Sequence, residues 1–274
     1  MPEISVIMAV YNTPELESLK KSVDSVLGQS FGDFEFLICD DCSTKEDVKG
    51  FLRELPKSDK RIRLFENKKN MGLAASLNRL IEASGADARY IFRQDDDDIS
   101  APDRFFLQRE FFESNPGISI VGSNISLHDK NGVWGSRRYP EEPVKRDFLF
   151  AVPFMHGALA FRKSDLVKAG CYLPAKETRR AEDYELLMRM YAGGFAGFNI
   201  QKQLYSFRED IAAHKRRKYR YKIDEAKIRY RGFKMLKLLP GGVLYVLKPL
   251  IVGLIPYGPL NFIKDRYYGR RKRT

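Results

Sequence analysis

Four consecutive carboxylates, Asp95-Asp96-Asp97-Asp98, follow the apolar and aromatic run Tyr90-Ile91-Phe92 and precede Pro102. Adjacent carboxylates repel one another, and a divalent cation relieves that repulsion best. Ligation by oxygen alone suits Mg²⁺ or Mn²⁺, which keep some waters and bridge substrate phosphates. A solvated acidic loop is the other reading of the same run. A second acidic turn, Asp40-Asp41-Cys42-Ser43-Thr44, closes the run from Phe34 to Cys39. There a carboxylate can accept from a nucleobase N–H or a ribose hydroxyl, or cap a helix. A third acidic pair, Glu182-Asp183, opens a helix-like segment, where carboxylates also favour the positive end of a helix dipole. His156 stands in an apolar and aromatic segment, compatible both with a core histidine and with a ligand contact.

These groups need a scaffold that brings them together. Ser5 to Val10 is a continuous apolar run, the pattern of a strand covered on both faces in a parallel sheet. Glu15 to Gln29 reads as a helix through Leu16, Leu19, Val23, Val26 and Leu27, and Phe34 to Cys39 as the next strand. The alternation continues with helices over 46–55 and 73–83 and strands over 61–65 and 90–93. This is an α/β pattern. In open α/β sheets ligands bind beyond the carboxyl ends of strands, so the acidic turns after Cys39 and Arg93 can face one crevice although about fifty residues separate them. Further on, 102–114 reads as helix and 118–121 as strand, with 123–139 an irregular or hairpin-forming insertion broken at Gly132 and Gly135. A strand over 158–161, a short helix over 164–168 with Ser164 as its cap, and a helix over 182–191 follow.

With 274 residues, 43% hydrophobic and 31% charged, the chain is neither disordered nor a polytopic membrane protein. Its net charge of +12 is unevenly distributed: 18 Lys and Arg stand against 3 Asp and Glu after residue 210, and 30 against 33 before it. The chain therefore divides into a slightly acidic body, 1–210, and a basic extension, 211–274. Within the extension, Lys215 to Lys237 is a helical candidate. Gly241 to Pro256 is apolar but interrupted by Lys248-Pro249 and short of the roughly 20 apolar residues that a membrane span needs. An apolar face flanked by Lys and Arg suits the headgroup region of an anionic leaflet; an ordinary helical extension packing on the body or on another subunit is the other reading. Cys39, Cys42 and Cys171 lack the second pair of a zinc site and fit a reducing cytosol, and no secretory signal precedes the first strand. The expectation is a cytoplasmic protein, peripheral on the inner face of the cell membrane.

Taken in order, several of these segments resemble the family 2 glycosyltransferases with the GT-A fold, over Ile4 to Arg208. They are Ser5-Val6-Ile7-Met8-Ala9-Val10-Tyr11-Asn12, Ser25-Val26-Leu27-Gly28-Gln29-Ser30-Phe31, and Cys39-Asp40-Asp41-Cys42-Ser43-Thr44. Asn70-Met71-Gly72-Leu73-Ala74-Ala75-Ser76-Leu77-Asn78, Arg93-Gln94-Asp95-Asp96-Asp97-Asp98 and Ala181-Glu182-Asp183-Tyr184-Glu185 complete the set. The resemblance implies a Rossmann-like, mostly parallel central sheet flanked by helices, with a nucleotide-sugar-binding half near 1–100 and an acceptor-binding half near 101–210. It implies an inverting transferase that moves a sugar from a nucleotide diphosphate, UDP preferred, to an acceptor hydroxyl on a surface glycan or its lipid-linked precursor.

By matched position, Ala9, Tyr11 and Asp41 contribute to the nucleotide pocket, Asp41 recognising the base with Asp40 close behind, while Asn70 and Gly72 shape the donor loop. Asp95 and Asp97 match the family's Asp-x-Asp element. The resemblance gives Asp97 to the Mn²⁺ or Mg²⁺ ion and Asp95, with Asp96, to ribose or metal-bound water, the register being open by one residue. Asp183 matches the catalytic base, which removes the acceptor proton, with Glu182 beside it, and His156 lies where the family places a polar residue near donor or acceptor. The histidine that often follows the terminal aromatic-Arg pair is replaced around Asp210, His214 being displaced, and there is no Gln-x-x-Arg-Trp sequence. Single addition is therefore expected over processive synthesis. A nucleic-acid-binding module, suggested by Lys215 to Lys222 and Arg270 to Arg273, ranks lower because the body is slightly acidic and the basic tail surrounds an apolar segment. A sugar nucleotidyltransferase ranks lower because the first loop is not a Gly-rich, basic phosphate loop.

Overall fold

The computed structural model describes residues 2–209 and 219–254. Strands β1 (Ile4–Val10), β2 (Phe34–Asp40), β3 (Ile62–Glu66) and β4 (Tyr90–Arg93) pair in parallel in the order β3-β2-β1-β4. Helices α1 (Leu16–Leu27), α2 (Glu46–Ser58) and α3 (Leu73–Ala83) connect them. Alternate residues of β1 point to opposite faces: Ile4, Val6, Met8 and Val10 pack with Leu19 and Val23 of α1, whereas Ile7 joins the cluster containing Leu77 and Leu80 of α3. Burial on both faces is why β1 reads as an unbroken apolar run.

Beyond β4 the sheet becomes mixed. β8 (Ala160–Arg162) runs antiparallel to β4 and to β6 (Ile118–Asp129), and β6 runs parallel to β9 (Ala196–Arg208). β5 (Ile99–Ser100) pairs antiparallel with the end of β9, and β7 (Gly132–Arg137) folds back on β6. Helices α4 (Arg104–Ser114), α5 (Lys163–Lys168) and α6 (Glu182–Ala192) complete the body. The segment 123–139 is thus a hairpin: β6 continues to Asp129, and Gly132, at φ +106°, makes the turn. Gly135 does not break the strand; it sits within β7 opposite Leu127, beside a register shift. Ser164 lies inside α5, which has Arg162 at its cap position and no side-chain cap.

The described part of the basic extension forms two helices, α7 (Arg220–Met235) and α8 (Val243–Leu254). They are not peripheral decoration. Ala226, Ile228, Phe233 and Leu236 of α7 are buried in the same cluster as Tyr184, Leu187 and Met188 of α6. A side chain at Gly232 would collide with Met188, Arg229 Nη1 donates to Leu149 O at 3.1 Å, and its guanidinium stacks 4.9 Å from the Tyr184 ring centroid. Among the described residues no helix is long and apolar enough to cross a membrane. Lys215 to Lys218, Asp210, His214 and Arg270 to Arg273 lie outside the described residues.

Candidate active site

Three loops meet at the carboxyl ends of β1, β2 and β4. After β1, Asn12 adopts φ 49°, a left-handed conformation that Asn tolerates because its short polar side chain bonds locally. Its Oδ1 accepts from Thr44 N (2.8 Å) and Lys45 N (3.2 Å), capping α2 from the neighbouring loop. After β2, Asp40 Oδ1 accepts from Ser43 N at 2.8 Å. The acidic turn ties down the loop that leads into α3 instead of capping a helix: Asp41 Oδ1 accepts from Met71 N and from Asn67 Nδ2, both at 2.7 Å, and Oδ2 from Gly72 N at 2.8 Å. Gly72, at φ 87°, provides the left-handed turn into the helix. Ala9 lies on β1 beside this turn, Asp40 and Asp41 are buried, Gly72 is half-buried, and Tyr11 and Asn70 are exposed at the rim.

The four-aspartate turn is pinned from beneath. Arg104, fully buried on α4, donates to Arg93 O at 2.7 Å and to Ser100 Oγ at 2.8 Å. Gln94 Nε2 bonds Asp98 O at 2.9 Å and Ser22 Oγ at 3.0 Å. So held, the aspartates point in different directions. Asp98 is completely buried and accepts from Arg208 N at 2.6 Å. Asp96 receives the hydroxyl of Thr13 from the β1 loop. Asp95 pairs with the buried Arg93 guanidinium, and its amide donates to Tyr205 Oη at 3.1 Å. Asp97 faces a cavity of about 400 Å³ whose wall includes Ser18, Lys21, His128 and Arg208. Burial and the neighbouring charges of Asp96 and Asp95 push the Asp97 carboxyl well above its ordinary range.

Asp183 occupies the first turn of α6, where its Oδ1 accepts from Tyr184 N at 2.8 Å. Burial first, then the adjacent Glu182, raises its pKa to about 7; burial likewise raises that of Glu182. His156 begins a short 3-10 turn, His156–Ala158, and its Nε2 shares a hydrogen bond of 2.8 Å with Tyr172 Oη. Burial and then the Arg93 charge lower the His156 pKa to about 3, so the imidazole is neutral. The Asp95 charge acts on His156, Tyr172 and Asp183 alike, which groups those three about Asp95, whereas Asp97 faces the cavity beside His128 and Arg208.

The group about Asp95 is tied back to the donor-side loops. Tyr172 N donates to Asn78 Oδ1 (2.9 Å) and Asn78 Nδ2 to Tyr172 O (2.8 Å), so α3, whose leading loop Asp41 holds, also holds the tyrosine bonded to His156. Gly157 lies so close that a Cβ there would come 2.7 Å from Asp95 Oδ2 and into the Tyr205 hydroxyl. Sequence reasoning missed Arg93, Tyr172, Asn78 and Tyr205 as functional positions. Only Arg93 carried a signal, a charge ending an otherwise apolar strand. Among the described residues no three His, Cys, Asp or Glu side chains gather tightly enough to hold a metal alone. The chemistry of the donors fits a hard cation: Asp97, which lines the cavity, would offer carboxylate oxygen, with Asp95 near it in sequence, of the kind Mg²⁺ or Mn²⁺ takes.

Comparison with known proteins gives the family and the fold. The model for the family described as "Glycosyl transferase family 2" matches residues 5–170. The putative glycosyltransferase EpsE of Bacillus subtilis is 37% identical over 270 residues, 98% of this chain and 94% of that protein. The UDP-Gal:alpha-D-GlcNAc-diphosphoundecaprenol beta-1,3-galactosyltransferase of Escherichia coli is 27% identical over 239 residues, 85% of this chain and 84% of that protein. In fold, the chain is similar to the mannosyltransferase PcManGT of Pyrobaculum calidifontis, solved in complex with GDP-Man and Mn²⁺, with a TM-score of 0.62 at 16% identity over 97% of this chain and 79% of that one. The architecture is GT-A-like, and with the family match spanning more than half of its length the chain belongs to glycosyl transferase family 2.

Proposed function

We propose that the protein transfers a sugar from a nucleotide diphosphate, UDP by preference, to an acceptor hydroxyl with inversion at the anomeric carbon. The observation that carries this reading is Asp183, with its pKa near 7, within reach of the charge of Asp95, the first carboxylate of the four-aspartate turn. A base with a pKa close to neutrality is matched to removing a hydroxyl proton. Asp183 would take the acceptor proton as that oxygen attacks the anomeric carbon from the face opposite the diphosphate, and one displacement inverts the centre. Asp97, with Asp95, would hold Mn²⁺ or Mg²⁺, which neutralises charge on the leaving diphosphate. Asp96 would reach ribose after releasing Thr13.

Asp41 uses three of about four acceptor sites on its carboxylate within the protein, leaving one for a base N–H. Ala9, Tyr11, Asn70 and Gly72 would line the remainder of the nucleotide pocket, and His156 and Glu182 would contact donor or acceptor. The acceptor named for the Escherichia coli relative, a diphosphoundecaprenol-linked sugar, supports a glycan or lipid-linked acceptor in surface polysaccharide assembly. The test is Asp183→Asn. Transfer should fall by about 100- to 10,000-fold, while Mn²⁺-dependent thermal stabilisation by UDP-sugars is retained. NMR of the product should show the anomeric configuration inverted. Wild-type transfer by the variant, or retention of configuration, would overturn the reading.

A further inference from the structure

We propose that the outward face of α8 docks the protein in the plane of an anionic lipid surface. A helix on a soluble body ordinarily buries its apolar stripe and shows solvent a polar one. α8 does not. Its inner side, including Val246 and Pro249, is buried, with Val246 in the core cluster of Phe233 and Leu149. Its other side presents Leu244, Leu247, Ile251 and Leu254, which are 77, 44, 60 and 73% exposed and recur at intervals of three or four residues. Lys248 is the only charged residue in the helix. At the end of α8, Gly253 lies against the ring of Tyr219, itself largely exposed, which adds an aromatic edge to the patch.

The surroundings select the occupant. Residues 219–254 carry eight Lys and Arg against Asp224 and Glu225, and Arg220, Lys227, Arg231, Lys234 and Lys237 are exposed. The twenty residues after Leu254 add six more Lys and Arg and one Asp. Pairing two copies through α8 would bring two strongly positive hairpins together, whereas an anionic leaflet neutralises them, each nearby cation strengthening the attraction. The helix is about 18 Å long at 1.5 Å per residue, too short to cross a bilayer and suited to lying in the headgroup region. Docking would also orient the site. α7 packs on the helix bearing Asp183, and Lys248 Nζ bonds Phe150 O at 2.9 Å, six residues before His156.

Flotation of the full chain with phosphatidylcholine vesicles, with and without phosphatidylglycerol, tests this without any sugar donor, so its outcome is independent of the catalytic reading. The wild type should float with the phosphatidylglycerol vesicles and be released by salt. Leu247→Glu with Ile251→Glu should lower the partition coefficient by about tenfold or more at an unchanged melting temperature. Should that pair melt early, Leu244→Ser with Ile251→Ser, which adds no charge, decides the matter on the same readout. Three results would each overturn the proposal: a wild-type chain that ignores anionic vesicles, variants that float as the wild type does, or a wild-type dimer in sedimentation that the substitutions split while neither protein floats. The last result would assign the stripe to a second copy.

Discussion

Asp183 is the residue through which pH should act most visibly, and it acts in opposite directions on stability and on turnover. Its carboxyl titrates near 3.8 when exposed and at about 7 in the fold. Below the lower value both states are protonated. Between the two, the unfolded chain has lost the proton that the folded site keeps, so the contribution to stability falls as pH rises and levels off above 7. As the proposed base, Asp183 must be ionised for transfer, which should rise through the same interval. Urea unfolding between pH 5 and 8 should therefore show a decline that Asp183→Asn flattens, while wild-type turnover climbs. The carboxylates themselves were legible in the sequence, because acidic residues at strand and helix ends are few and ordered. Their partners were not. Tyr172 meets Asn78 across 94 positions, and nothing local to either residue announces the pairing. Asp41 shows the same limit: a helix cap was one reading of the turn, but its carboxylate holds the amides of Met71 and Gly72, thirty residues on, in the loop before α3.

At the scale of elements, the parallel half was readable because each strand is short, apolar and bounded by turns, and α3 and β4 fall where periodicity puts them. The second half was not. β6 and β9 are long, pass through register shifts near Ser123 and Asn124, and bury polar residues such as Ser123, Asn124 and Asn199, so neither strict alternation nor a continuous apolar run marks them. The 3-10 turn at His156 is the element on which the second half converges, since its glycine lets β9 and the Asp95 carboxylate approach together. Gly157→Ala should displace both Tyr205 and Asp95. We expect a stability loss of about 1–3 kcal/mol, typical of overpacking, measured by denaturant unfolding, together with weaker Mn²⁺-dependent stabilisation by the sugar nucleotide. An alanine variant with wild-type values on both measurements would show that the turn yields more freely than its packing indicates.

For the whole molecule, the partition of charge between body and extension was plain from composition, but composition says nothing about where a basic helix packs. α7 hides Ile228, Phe233 and Leu236 against the back of α6 and sets Arg229 over the Tyr184 ring. The usual remedy for an enzyme that clings to lipid, trimming its tail to improve yield, would here strip the rear wall from the helix that carries the proposed base. A chain ending at residue 209 should expose Leu187 and Met188, melt well below the full-length protein and clump on heating, as light scattering during a thermal ramp would reveal. Blunting the stripe on α8 by substitution, with α7 left in place, is the route that should give a well-behaved protein whose chemistry survives.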